Sequence, residues 1–459
     1  MIFPSKTGDP ELHPYRHGLY FAFCNALNWQ VAIGIPTVLF MQYLGANSFE
    51  VGLVFSWTFL LTPVQVLGTA WLPRWGFKRL ALTGWVARNW CLAVPLGLTI
   101  LARNGPHPWM INAMIVATFV YSLNRAIGLS ALTTWFYQLI PAAIRGRYWA
   151  SDQIASGVAI TGSLTLYALL FTVLPLYVAF LILYTIAVLG GWFARRELRR
   201  LPDVDRPKLI SLEKIVTETP RLMTEQSLFR TYLWMSVPLY AAITPIAPFV
   251  AYYLKATVGL TFTQIILLTM LTYLGLILAN WLMRAKMDRV GSKRFFRLSY
   301  LAYVCIAGGW IAVLLVGQRA LVLLPVLYLV QGMASGFWAS ANLNYLAKIL
   351  PEHDRALPVS IHGAVITFCG GCTPVLWGLF LKVPGEVPTV NVTVFLLFFA
   401  TLLLVCLGLT ALLSRLPEQA TGAGEPLLPG GWALRPFRAI ANVINLVDLS
   451  ADKRDDDKP

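Results

Sequence analysis

Thr263–Arg294 reads TQIILLTMLTYLGLILANWLMRAKMDRVGSKR. Residues 263–284 carry no charge before Arg284, and a run of that length crosses about 30 Å of hydrocarbon as a helix. A short basic stretch follows, and a second apolar run starts at Phe295. Backbone polar groups cannot go unpaired in lipid, so both runs are helices joined by a tight turn. The first half of the chain repeats the pattern. Apolar residues 51–71 lead into Pro73-Arg74-Trp75-Gly76-Phe77-Lys78-Arg79, and residues 80–102 are apolar again. Both turns contain Arg-x-Gly-x-Lys-Arg. Further along each half stand Pro141-x-x-x-Arg145 and Pro351-x-x-x-Arg355.

Working outward gives twelve spans, at 18–43, 51–71, 80–102, 109–139, 149–172, 174–194, 229–254, 263–284, 295–316, 321–346, 357–382 and 390–413. Only Leu174 and Pro175 separate spans 5 and 6. The composition agrees: 57% of the 459 residues are hydrophobic and 12% charged, against about a quarter charged in soluble chains. The expected architecture is all-α, with two parallel six-helix pseudo-repeats. Residues 1–194 form the first half, 195–228 a basic cytoplasmic linker, 229–413 the second half and 414–459 a cytoplasmic tail. In the linker, Ser211 is placed to cap a short helix on the membrane surface. In the tail, Phe437, Ile440, Ile444 and Val447 share one helical face, which predicts a helix on the inner leaflet.

The net charge of +15 reflects topology, not nucleic-acid binding. The termini and even-numbered loops hold 30 of the 36 Lys and Arg residues, and the other side holds Arg103, Lys255, Arg319 and Lys382. Cytoplasmic loops carry this excess, so both termini are expected inside, in a bacterial inner membrane. All six cysteines fall within spans, which excludes a secreted disulfide framework. The polar start, with Pro4, Pro10 and Pro14, does not read as a cleavable signal.

Asp288-Arg289-x-Gly291-x-Lys293-Arg294, between the second and third helices of a half, resembles the signature loop of the major facilitator superfamily. The resemblance implies alternating access, and a central cavity lined by spans 1, 4, 7 and 10. It also implies gating roles for the basic loops: Arg74, Gly76, Arg79, Asp288, Arg289, Gly291, Arg294, Arg145, Arg147 and Arg355. Asp288 is expected near the start of span 11, where a helix N-terminus and Arg355 can hold it and close the cytoplasmic side. The sequence departs from the family pattern in three places. Arg284 and Thr69 stand where a glycine is usual, Pro73 replaces the aspartate, and no proline follows Gly157 or Gly162 as in antiporters.

Helical spacing places polar stripes on those same four spans. Span 1 carries Asn25, Asn28 and Trp29; span 4 carries Tyr121, Asn124, Arg125 and Gly128; span 7 carries Ser236, Tyr240 and Thr244. Span 10 carries Gln331, Ser335, Trp338, Asn342 and Tyr345 on one face. The substrate set expected from these is Asn28, Trp29, Asn124, Arg125, Tyr240, Gln331, Trp338 and Asn342. Arg125 would supply charge, the amides hydrogen bonds, and Trp29 and Trp338 stacking faces. The alternative for each residue is hydrogen bonding between helices, which is common in membranes.

Two arginines lie inside spans. Arg88 is about eight residues into span 3, roughly 12 Å from its inner end, and is expected to snorkel to the surface. Arg125 is near the middle of span 4, where an isolated charge costs at least about 2.5 kcal/mol. No Asp or Glu stands at mid-depth in any span, which leaves His362 as the coupling candidate. Cys369-Gly370-Gly371-Cys372 offers two thiols where a zinc site wants four ligands, and close helix approach explains it better. No phosphate loop or nucleophile motif is present. The reading is a transporter, by symport or uniport, of a small polar or anionic organic solute. It is expected to be a monomer in the bilayer with no cofactor, no metal and no enzymatic activity. The rival reading is a protein of the same fold that delivers a pigment, lipid or subunit.

Overall fold

The computed structural model describes residues 11–204, 212–284, 291–350, 356–381 and 392–417. The spans are helical as expected. Span 1 is Arg16–Ala32 with Ile35–Tyr43, and span 2 is Ser48–Leu60 with Thr62–Gly68. Span 3 is Phe77–Cys91 with Ala93–Leu101; spans 4, 5 and 6 are Pro108–Leu139, Ala142–Val173 and Leu176–Arg200. Span 7 is Leu228–Ile243 with Ile246–Ala256. Spans 8 to 12 are Phe262–Arg284, Ser292–Val316, Leu324–Ile349, Ala356–Leu381 and Val392–Leu412. Spans 9 and 10 form one apolar stretch from Ser292 to Leu346, divided by the 3-10 turn Gly317–Leu323, where Gly317 has φ +72°. A helix Leu212–Thr224 lies in the linker. Ser211, the tail helix, Asp288, Arg289 and Arg355 lie outside the described residues, as do the side chains of Arg145 and Arg147.

The internal repeat is visible in local chemistry. Span 2 starts with a capping box, in which Asn47 Oδ1 accepts from the Glu50 amide and Glu50 Oε2 accepts from the Asn47 amide. Span 8 starts with the same device built from Thr261 and Gln264. Each box satisfies helix-end donors that lipid cannot. In the signature turns, Gly76 and Gly291 both cap the following helix with left-handed backbone, at φ +74° and +85°. That conformation costs a side chain dearly, which is why glycine recurs there.

The same turns hold a pair of lysine clamps. Lys78 Nζ donates to the carbonyl of Leu201, just past span 6, at 2.6 Å, and Lys293 Nζ donates to that of Leu416, just past span 12, at 2.9 Å. Each pair is separated by 123 residues. A cation at a helix C-terminus satisfies carbonyls left without intrahelical partners. Lys78→Met and Lys293→Met should each cost about 1.5 kcal/mol, and the double variant should show the sum, because the sites share no partner. Thermal unfolding in detergent checks this; an unchanged Tm in both single variants would mean that the clamps are ornamental.

Large apolar side chains line the outside, with Val322 77% and Leu404 69% exposed. A surface of this kind is stable against acyl chains, not water. The halves meet through span 2 on span 11, span 5 on span 8, and the outer segments of spans 1 and 7. The side-chain hydrogen bonds and ring contacts between the halves, among the described residues, lie from mid-depth toward the odd-numbered loops. Ser48 Oγ donates to Gly378 O at 3.0 Å, Thr172 meets Thr263 at 3.1 Å, and Phe262 packs on Phe171 and Phe180. The structure is therefore closed at that end of the bundle.

Candidate functional site

Asn28 is fully buried and its amide is saturated. Its Nδ2 donates to Asn89 Oδ1 and to Ala187 O, both at 2.9 Å, and its Oδ1 accepts from Tyr121 OH at 2.7 Å. These bonds tie spans 1, 3, 4 and 6 together, and a side chain at Gly191 would collide with this node. The expectation that Asn28 binds solute is not met in this geometry: its bonding capacity is spent on packing. Tyr121 shares that fate. Gly128 packs against Gly84 and Trp85 of span 3. Asn124 Nδ2 donates back to Val120 O of its own helix at 2.8 Å. Trp29 is half-buried against the core.

The two arginines sit in different surroundings. Arg88 does not snorkel: it is 1% exposed, with its guanidinium 4.2 Å from the Trp85 ring centre and 5.6 Å from that of Tyr121. Its Nη2 donates to Asn25 Oδ1, which also accepts from Trp85 Nε1, while its Nε is buried without a partner. Two desolvated ring contacts and a charged hydrogen bond contribute roughly 2 kcal/mol each, enough to offset an insertion cost of about 2.5 kcal/mol. The sequence distance to the surface was a poor guide, because Trp85 sits one turn away and holds the side chain. Arg125, in contrast, is half-buried and makes no hydrogen bond among the described residues. Its charge interacts with that of Arg88 and with Tyr121. Two positive centres thus share the mid-depth of the first half with no carboxylate at their level.

The span 10 stripe turns inward to its own half. Tyr232 OH donates to Asn342 Oδ1 at 2.5 Å, and Ser335 bonds Tyr303 OH at 2.9 Å. Tyr345 packs at a tilt against Tyr232 with ring centres 4.8 Å apart, and Trp338 against Tyr240 at 5.1 Å. Ser236 and Thr244 bond carbonyls of span 7 itself. Bonding to other helices therefore accounts for Ser335 and Asn342, while Trp338 Nε1 and Tyr345 OH are buried without a partner among the described residues. Gln331 is half-buried, and its amide has no hydrogen bond among the described residues. His362 is 1% exposed, its ring parallel to Tyr232 at 5.3 Å, with Nε2 buried and unpartnered. Arg74 and Arg79 are exposed, and Arg79 lies over the Trp75 ring at 5.6 Å. Among the described residues, no group of His, Cys, Asp or Glu is arranged to hold a metal ion.

Three features escaped the sequence reading. Span 1 breaks at Ile33–Gly34 and span 7 at Thr244–Pro245, at matching places in the two halves. Interrupted helices in corresponding positions point to a transporter's binding region, and Gly34-Ile35-Pro36 and Pro245 were the available signals. At mid-depth, Tyr273 OH of span 8 donates to Gln30 Oε1 of span 1 at 2.9 Å, joining the halves. Gln30 is fully buried, and its Nε2 has no partner. Finally, glycines form the seam between spans 2 and 11. A side chain at Gly52 would strike the Pro374 carbonyl, and one at Gly371 would lie 2.7 Å from Phe59 and 2.8 Å from Leu60. Gly370 packs on span 7, so close helix approach accounts for both glycines of the Cys369–Cys372 motif.

Two six-helix halves, with broken first helices facing each other around a mid-depth region, define a membrane protein of the major facilitator type. The model of the Major Facilitator Superfamily matches residues 232–446, a little under half of the chain. Solved structures share its fold at low identity. A nucleoside transporter, NupG, is 14% identical with TM-score 0.65, covering 87% of this chain and 99% of its own. A bacterial homologue of the iron transporter ferroportin, in an inward-facing state, is 14% identical with TM-score 0.65, covering 88% and 98%. The xylose transporter XylE from E. coli, in an inward open conformation, is 14% identical with TM-score 0.63, covering 91% and 97%. No curated protein matches the chain.

Proposed function

We propose that the chain is a secondary transporter, and that it moves a small organic anion by alternating access around the broken helices of spans 1 and 7. One observation carries the choice of an anion. Arg125 is half-buried, without a hydrogen bond among the described residues, beside a second guanidinium, Arg88. A planar fork of donors that keeps its charge suits carboxylate or phosphate. Two such charges also weigh against a metal cation, the cargo of some proteins with this fold. Gln331, with a free amide, and Trp29 are the best remaining partners from the expected set, and Gln30 Nε2 joins them. The lack of a mid-depth carboxylate fits symport or uniport, with His362 the remaining coupling candidate. Uptake of a panel of organic anions, neutral sugars and nucleosides into proteoliposomes tests the reading. Uptake of a neutral solute with no anion transported would overturn it.

The excess of Lys and Arg at the end carrying the termini supports a cytoplasmic location for both termini, and hence an inward-facing state for this structure. Reporter fusions after Asn104 and after Arg206 should fall on opposite sides of the membrane. Finding both on one side would reject the topology.

A further inference from the structure

We propose that the end of span 6 nearest the linker holds the headgroup of an anionic phospholipid. Trp192, Arg195, Arg196, Arg199 and Arg200 line a pocket of about 380 Å³ there. The helix shows what faces it. Leu189 and Phe193 are 50% and 51% exposed, and Arg196 and Arg200 continue their stripe at helical spacing. Trp90, 63% exposed, packs edge-on against Trp192 with ring centres 5.5 Å apart. Exposed apolar side chains, then an indole pair, then guanidiniums is the order in which a helix meets acyl chain, interface and headgroup.

The charge is unbalanced. Glu197 faces His17 at 2.7 Å and Arg200 at 3.0 Å, so it is spent. Arg195 lies over the Trp192 ring at 5.5 Å. Arg195, Arg196 and Arg199 have no carboxylate among the described residues. Guanidiniums pair with phosphate oxygens through two parallel donors, and the indole supports the glycerol region. The apolar stripe continuing from the pocket commits the site to a lipid rather than a soluble phosphate, because only a lipid covers both parts. The site lies on the outer face of span 6 and does not depend on the transported solute.

Native mass spectrometry of the detergent-purified full chain, titrated with phosphatidylglycerol or phosphatidylcholine, tests this. Wild type should retain phosphatidylglycerol selectively. The triple variant Arg195→Gln, Arg196→Gln, Arg199→Gln should bind it more weakly, by on the order of 100-fold, with phosphatidylcholine unchanged. The double variant Arg221→Gln, Arg230→Gln, which removes two charges outside the pocket, should behave as wild type. Should the Gln triple fail to fold, replacing the same three arginines by Lys keeps the charge and loses the fork; its affinity should lie between the two. Retention by the Gln or, in that case, the Lys triple equal to wild type would overturn the proposal. So would binding of soluble glycerol phosphate as tight as that of the lipid, which would make the pocket a phosphate site.

Discussion

Arg125→Gln should abolish binding and uptake of the transported anion while leaving the protein folded in the membrane. The Arg125 side chain is half-buried and makes no hydrogen bond among the described residues, so its removal breaks no described bond that holds the fold. It also relieves repulsion from Arg88. What is lost is a charged, two-donor contact to the solute. Such a contact contributes a few kcal/mol in a partly desolvated site, so affinity should fall by roughly 100-fold or more. Arg125→Lys retains charge but not geometry and should lie between, at roughly tenfold. Arg88→Gln should behave differently. Arg88 is 1% exposed and held by Trp85, Tyr121 and Asn25, so its loss should lower stability as well as affinity. Binding by isothermal calorimetry, read beside thermal unfolding, separates the cases. If Arg125→Gln transports normally, Arg125 is a structural residue and the anion reading fails.

Gly52→Leu should shift the protein toward the state open at the odd-loop end. In this structure a side chain at Gly52 would run into the backbone of span 11 at Pro374, and Phe249 of span 7 lies 3.1 Å away. Backbone cannot rotate aside as a flexible side chain can, so the helices must part. Overpacking of this kind costs about 1–3 kcal/mol. On the proposed alternating access this seam opens, so the cost falls on the closed state alone. The equilibrium should then move by roughly 5- to 150-fold. Spin labels at Asn104 and Gln318, one in an odd-numbered loop of each half, should report a longer mean distance in the variant. Gly371→Leu should act in the same direction, since it meets Phe59 and Leu60 of span 2. An unchanged distance distribution in both variants would show that the seam yields without opening.

The spans, the two halves and the signature turns were legible in the sequence, because lipid forces every backbone group into a helix and confines charge to the ends. Gly76 and Gly291 were legible for a related reason, since a left-handed turn leaves few alternatives to glycine. The candidate site was legible only in part. Periodicity placed Asn28, Ser335, Asn342 and Arg125 on helix faces, but could not say which face met a neighbouring helix. Asn28 was claimed by Asn89, Ala187 and Tyr121, and Asn342 by Tyr232, through bonds across 61 to 159 residues of chain.

The sequence by itself determined the solvent of each segment and the repeat, because hydrophobic run length and loop charge are properties of local composition. Tertiary structure alone decided which polar groups are free. Arg88 was captured by two aromatic rings while Arg125 was left without a hydrogen bond, and Gln30 was brought to Tyr273 across the line between the halves. Those outcomes depend on which pairings are lowest in free energy once the helices pack, and no local pattern encodes that competition.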